Sequence, residues 1–301
     1  MVDKINITFL GTGCAIPTKR RNHQSTLIQY KSENILIDCG EGTQRQMRIA
    51  GVNPCSITRL LITHWHGDHT LGIAGLLQTL ALNGYNKKLE IYGPKGTKQF
   101  MELYLSLFVN QGQIKIEVHE VSSNILVNEE DFLIETREMK HNALCFAYSF
   151  IVKERLRLDK TKLKKLKIPN GPLIGELKKG KTIAFNKKKI NGKSLLYKEE
   201  MKKVTIIPDT SMNLNSIELA KNSDLLISES TFSEKEEENA TATFHLTSKQ
   251  AATIAKKSNS KKLILTHFSQ RFEKDPSILL KEAKTIFKNT ILAEDFLHLE
   301  I

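Results

Sequence analysis

The sequence predicts an α/β protein, and three observations carry that prediction. Segments rich in β-branched and apolar residues alternate with segments whose apolar residues recur at helical spacing. Several of the strand-like segments end in an acid or a histidine. One strongly basic segment interrupts the alternation in the second half.

The elements follow in order. "MVDKINITFLGTG" reads as a first strand, and "STLIQY" and "NILIDCG" as the next two, punctuated by glycines. "TQRQMRIAG" is a short helix closed by Gly51. "ITRLLITHWHGDH" is a buried strand running into a histidine loop, and "TLGIAGLLQTLALNG" a helix ending at Gly84. "KLEIYGP" is a strand and "GTKQFMELYLSLF" a helix, and strands resume through about Ile151. The basic segment then intervenes. Its "KIPNGPLIGELKKGK" holds prolines and glycines that forbid a continuous helix. Beyond it, "KVTIIPDTS" and "DLLISESTF" are strands, and "LTSKQAATIAKKSNS" is a helix capped by Thr247 or Ser248. "KKLILTHFS" is a strand, "ILLKEAKTIF" a helix and "TILAEDFLHLEI" a last strand.

Composition narrows the class. The 301 residues are 40% hydrophobic and 26% charged, enough for a normal core. A run of about 18 apolar residues would suggest a membrane span, and none occurs. Met1 to Leu10 lacks a basic flank followed by an apolar stretch, so a secretory leader is not expected. Cys14, Cys39, Cys55 and Cys145 form no C-x-x-C pair, which predicts four reduced, mostly buried thiols. The expected location is the cytoplasm, or an organelle stroma if the gene is organellar, and lysine-rich usage fits an AT-rich genome.

The net charge of +12 is concentrated rather than spread. Lys153 to Lys203 carries 18 basic and 5 acidic side chains, a net of +13, leaving −1 for everything else. A localised basic excess points to an acidic partner such as nucleic acid.

The densest chemistry is "HWHGDH", which sets His64, His66, Asp68 and His69 within six residues. Residues i and i+2 of an extended segment point the same way, so His64 and His66 can share one divalent metal. Gly67 lets the chain turn, so Asp68 and His69 can face a second metal. Further ligands are available in His141, after "DFLIETREMK", in Asp209, ending "VTIIPD", and in His267, ending "KLILTH". Strand ends are where α/β layouts collect functional groups. Asp209 has two oxygens and could bridge both ions, the arrangement that suits phosphodiester cleavage. His119 and His298 read as surface or packing residues, whereas His23 sits beside a basic loop.

"HWHGDH" fits the H-x-H-x-D-H signature of the metallo-β-lactamase superfamily. That signature alone is compatible with small-molecule phosphodiesterases, arylsulfatases and lactonases. Nearly the whole chain, from "ITFLGTG" to "ILAEDFL", resembles the short-form ribonuclease Z family of tRNA 3′-processing endonucleases. "PTKRRN" matches the family's P-x-K-x-R-N loop, associated with sensing the tRNA 3′ end. "KIPNGPLIGELKKGK" resembles the glycine-proline motif of its flexible arm. "SESTF" and "TFHLTS" resemble paired loops carrying a glutamate and a histidine, and "AEDF" is similar to its A-x-D-x motif. Pro208, Ser228 and Leu246 stand where the family commonly has glycine, histidine and serine, and none of these is a ligand.

The resemblance implies an αβ/βα four-layer sandwich forming a single domain over 1–301, with a flexible basic arm inserted at 153–203. It implies two zinc ions per subunit: His64, His66 and His141 on one, Asp68, His69 and His267 on the other, Asp209 between. Asp68, Glu229 and His245 would be catalytic: Asp68 orients or deprotonates water, and His245, held by Glu229, protonates the leaving oxygen. Lys19, Arg21, Asn22, Gly171, Pro172, Lys178 and Lys179 would contact RNA. The implied substrate is precursor tRNA, and the implied assembly a homodimer away from membranes.

Overall fold

The computed structural model describes residues 3–107, 114–121, 124–186 and 188–301. Met1 and Val2 of the first predicted strand, Phe108 of the predicted "GTKQFMELYLSLF" helix and Lys187 of the basic segment lie outside them.

Two seven-stranded sheets form among the described residues. The first runs, edge to edge, His298–Glu300, Asn6–Gly11, Ser25–Tyr30, Glu33–Ile37, Arg59–Leu61, Lys88–Gly93 and Lys115–Glu120. The second runs Thr290–Leu292, Leu263–Thr266, Leu225–Glu229, Lys202–Ile207, Cys145–Val152, Phe132–Met139 and Asn124–Asn128. The first sheet is mixed. Antiparallel strands at its start give way to parallel pairing from Glu33–Ile37 through Lys115–Glu120.

The period-2 alternation of each strand separates its two faces. Ile28, Ile35, Ile37 and Leu61 of the first sheet meet Ile134, Tyr148, Phe150 and Ile206 of the second. Their neighbours Leu27, Leu36, Leu60 and Ile62 face the other way, onto a cluster with Ile73, Leu76, Leu77 and Leu80 of the helix Ile73–Leu82. On the far side, Leu226, Leu263 and Leu265 pack against Ala251, Ile254 and Ala255 of the helix Ser248–Lys257 and Leu279 and Ala283 of Ser277–Ile286. The result is helix, sheet, sheet, helix. Of the two caps the sequence offers, Thr247 is the one that caps Ser248–Lys257, with a reciprocal box to Gln250.

The last predicted strand is divided between the two sheets. "TILAEDFLHLEI" is two strands, not one. Thr290–Leu292 pairs with Leu263–Thr266 in the second sheet, and His298–Glu300 with Asn6–Gly11 in the first. The chain crosses between sheets at "AEDF", where Phe296 adopts φ 70° and donates its N–H to Phe9 O at 2.7 Å.

The chain divides into two compact units, one of 1–128, 134–150 and 203–301 and another of 129–133 with 151–202. The smaller unit has its own core of Leu158, Leu163, Ile168, Leu177, Ile183, Ile190 and Leu195. Short helices Lys160–Lys165 and Pro172–Lys178 break where the sequence places Pro169 and Gly171. Two strand pairs, Arg155–Leu158 with Leu196–Glu199 and Thr182–Phe185 with Lys188–Asn191, complete it. Among the described residues no helix is long and apolar enough to cross a membrane.

Candidate metal centre

Parallel pairing is what gathers the site. Glu33–Ile37 runs parallel to Arg59–Leu61, so their carboxyl ends deliver Asp38 and the His64 loop to one sheet edge. Lys202–Ile207, Leu225–Glu229 and Leu263–Thr266 are parallel neighbours, so Asp209, Glu229 and His267 emerge together. Phe146 N donates to Thr63 O at 2.9 Å and Tyr148 Oη to Ile62 O at 2.7 Å, which ties the two sheets at this point. Two glycines permit the close loop packing. A Cβ on Gly72 would stand 2.0 Å from Gly40 O, and one on Gly40 would stand 2.6 Å from Asp68 O.

All seven predicted ligands converge. His64, His66, His141 and Asp209 place ligand atoms within 4.8 Å of one another, and so do His69, Asp209 and His267. His64 Nε2 lies 3.0 Å from His66 Nδ1 and 3.7 Å from Asp209 Oδ2, with His141 Nε2 3.3 Å from His66 Nδ1. On the other side, His69 Nε2 lies 3.6 Å from both Asp68 Oδ2 and Asp209 Oδ2. His267 Nε2 is 3.5 Å from Asp68 Oδ2, and its Nδ1 is 3.3 Å from Asp209 Oδ1. Asp209 belongs to both clusters.

The donor set fits divalent cations. His69 Nε2, His267 Nε2 and Asp209 Oδ1 are buried and make no hydrogen bond. Three orphaned buried atoms in one small volume are costly unless something binds there. The electrostatics agree. Burial, helped by the neighbouring His69, holds His64 well below the ordinary imidazole value, which favours the neutral ligand form. Burial also lowers His141, against the pull of Asp209. For His69, burial is outweighed by Asp38, Asp209 and Asp68, which push it well above normal. Burial likewise opposes, and fails to prevent, depression of Asp68 by His69 and His267 and of Asp209 by His267 and His69. Asp38, Asp209 and Asp68 thus favour positive charge at His69, a role a divalent cation would fill.

Several residues beyond the predicted set orient the candidate ligands. Asp38 is buried and accepts from His69 Nδ1 at 2.7 Å, from Thr63 N at 2.8 Å and from Thr63 Oγ1 at 2.9 Å. Its backbone is left-handed, with φ 58°. His141 Nδ1 donates to Phe244 O at 3.1 Å, and Thr231 Oγ1 lies 3.1 Å from His267 Nδ1. Fixing the far ring nitrogen this way selects the tautomer that leaves the near one for a metal.

Glu229 and His245 form a pair beside the ligands. His245 Nδ1 donates to Glu229 Oε1 at 3.0 Å. The buried carboxylate also accepts from Thr210 N at 2.8 Å and Thr231 Oγ1 at 2.8 Å. Burial alone would lower His245, but Glu229 and then Asp209 raise it to about 9.

The predicted RNA contacts divide. Lys19, Gly171, Pro172, Lys178 and Lys179 are exposed. Arg21 is not. It is buried, its Nη1 donating to Thr12 Oγ1 at 2.6 Å and Ala293 O at 2.9 Å, with the guanidinium over the Phe268 ring. Asn22 is half-buried, its side-chain Nδ2 donating to Glu41 O at 2.7 Å and its backbone N to Asp295 Oδ2 at 2.7 Å. These two residues brace the loop, because a buried guanidinium must satisfy its donors internally. All four cysteines are free thiols, and Cys14, Cys39 and Cys145 are buried.

Fold and site together define a hydrolase of the metallo-β-lactamase class. A metallo-β-lactamase fold protein from Bacillus subtilis superposes with a TM-score of 0.73 over 99% of this chain and 100% of its own, at 20% identity. The family described as Anti-Pycsar protein Apyc1 matches residues 5–159. Over nearly the full length, the chain is 37% identical to ribonuclease Z of Archaeoglobus fulgidus, covering 98% of this chain and 97% of that one. It is 39% identical to ribonuclease Z of Microcystis aeruginosa, covering 99% and 96%. The crystal structure of human tRNase Z, short form, matches with a TM-score of 0.71, 27% identity and 98% coverage of both chains. The chain belongs to the ribonuclease Z family and is an endoribonuclease.

Proposed function

We propose that this enzyme removes the 3′ trailer from precursor tRNA by phosphodiester hydrolysis at a two-zinc centre. His64, His66 and His141 would hold one ion and Asp68, His69 and His267 the other, with Asp209 between them. The observation that carries the reading is the pair of ligand clusters sharing Asp209, with three buried donor atoms left without hydrogen bonds. Bound there, the ions would supply Lewis-acid stabilisation of phosphoryl charge and a more acidic water.

The chain's own residues supply positioning and a proton. Asp68, kept ionised by His69 and His267, accepts a hydrogen bond from the attacking water and orients it. As the water oxygen bonds phosphorus and sheds a proton to solvent, which later restores the acid, the bond from phosphorus to the 3′ oxygen of the upstream nucleotide breaks. That oxygen takes its proton from His245, whose raised pKa keeps it in the acid form at neutral pH. Glu229 occupies Nδ1 and leaves Nε2 for donation. The products would be tRNA with a 3′-hydroxyl and a trailer with a 5′-phosphate.

Substrate choice rests on the smaller unit, which we take as the inserted exosite arm. Its open cleft is lined by Lys153, Arg155, Arg157, Lys160, Lys164 and Lys178 against Glu130, Asp131 and Glu154. Lysines grip phosphates of folded RNA with salt-dependent affinity. Lys19, Gly171, Pro172, Lys178 and Lys179 are the proposed RNA contacts, with Arg21 and Asn22 holding the Lys19 loop in shape. Family resemblance also makes a homodimer the proposed assembly, and light-scattering mass checks it. Deleting roughly Leu156 to Lys193 should impair precursor cleavage while sparing hydrolysis of a small phosphodiester. Equal loss on both substrates, or full activity on both, would sink the exosite.

A further inference from the structure

Cys14 has no role in the chemistry above, yet the fold ties it to the second ligand cluster. Gly13–Cys14 is a short strand paired in parallel with Phe268–Ser269, Gly13 opposite Phe268 and Cys14 opposite Ser269. Phe268 directly follows His267, and its N–H donates to Thr12 O at 3.0 Å. On the other side of Cys14, Ala15 turns with φ 54° and donates its N–H to Asp68 Oδ2 at 2.8 Å. The backbone is therefore anchored before the cysteine to the His267 strand end and after it to Asp68. Cys14, Asp68 and His267 place one ligand atom each within 4.8 Å of the other two. Cys14 is buried, and His267, 2% exposed, leaves its Nε2 without a hydrogen bond in the same volume.

We propose that Cys14 supplies a thiolate sulfur to the second metal position, beside Asp68, His69, His267 and Asp209. The inference rests on the two-ion reading. Sulfur bonds zinc at about 2.3 Å and imidazole nitrogen at about 2.0–2.1 Å. At the tetrahedral angle two such donors on one ion stand about 3.5 Å apart, so the cluster closes with shifts of about an ångström or less. The thiol proton leaves to solvent as the sulfur coordinates. The first position has three imidazoles and a carboxylate, so the second becomes the softer of the two. It should favour zinc and cadmium over manganese and magnesium more strongly than its neighbour does.

Zinc-edge X-ray absorption on the full-length protein loaded with zinc tests this, comparing wild type, Cys14→Ser and Cys145→Ser. Cys145 is the control because its Sγ lies 3.7 Å from His64 Nδ1 and donates to Asp209 O at 3.4 Å. The expected wild-type spectrum has a sulfur shell at about 2.3 Å amounting to roughly one sulfur for two zinc ions. Cys14→Ser should lose that shell and bind its second zinc about tenfold or more weakly, with the first unchanged. Cys145→Ser should keep the shell. Two zinc ions bound with no sulfur shell, or a shell that survives in Cys14→Ser, would overturn this inference and leave the two-ion reading standing. Failure of folded wild type to take up zinc would bring down both. Should Cys14→Ser not fold, the wild-type shell and its retention in Cys145→Ser still decide the matter.

Discussion

Asp38→Asn changes one oxygen to a nitrogen in a side chain that touches neither proposed substrate nor proposed metal. Asp38 Oδ1 accepts from Thr63 N, and Oδ2 accepts from both Thr63 Oγ1 and His69 Nδ1. An amide keeps one acceptor, which the Thr63 N–H claims, and turns an NH₂ toward the ring. His69 Nδ1 must then accept, so the ring proton moves to Nε2, the atom that faces Asp68 and Asp209. A protonated nitrogen cannot ligate. Losing a carboxylate that orients a ligand histidine typically costs about 10- to 100-fold in metal affinity, about 1.4–2.8 kcal/mol. Competition with a chelator should show one zinc equivalent weakened by that factor and the other unaffected. Cleavage activity should recover as free zinc is raised. Wild-type affinity for both equivalents in folded Asp38→Asn would refute the orienting role of Asp38.

Three further outcomes follow from the same geometry. Precursor cleavage in single turnover should be sustained at neutral pH and fall as pH rises through about 9, because the acid form of His245 exists below its raised pKa. Glu229→Gln removes the main raising charge and should move that limb to lower pH, so an unmoved limb would contradict the pairing. Arg21→Ala should cost about 2–4 kcal/mol in urea unfolding, since buried partners Thr12 and Ala293 lose a charged donor; a cost of about 0.5 kcal/mol or less would return Arg21 to the surface. Lys19→Ala, an exposed change, should leave stability unchanged and reduce the salt dependence of RNA binding by about one unit of slope.

Three of the candidate ligands were legible because each closes a hydrophobic run. His64, Asp209 and His267 follow "RLLIT", "VTIIP" and "KLILT", and parallel strands place such ends together. Asp38 also ends a strand, in "NILID", but a lone aspartate two residues before a glycine reads as a turn residue as readily as a buried acceptor. Thr231 and the Phe244 carbonyl carry no pattern at all, since any threonine or peptide bond can serve. Arg21 was read by its charge, and charge does not reveal direction. Only the fold shows that "AEDF" crosses between sheets and brings Ala293 O and Asp295 to the loop. The basic segment stood out by composition. That residues 129–133 belong to the same compact unit could not be seen, because their neighbours in space are more than twenty positions away along the chain.

The central claim is tested most directly by incubating the zinc-loaded protein with a 3′-extended precursor tRNA and mapping both product ends. The account predicts one cut near the discriminator base, a 3′-hydroxyl on the tRNA and a 5′-phosphate on the trailer, all lost in His64→Ala. No cut at that position, or a cut that survives in folded His64→Ala, would contradict it.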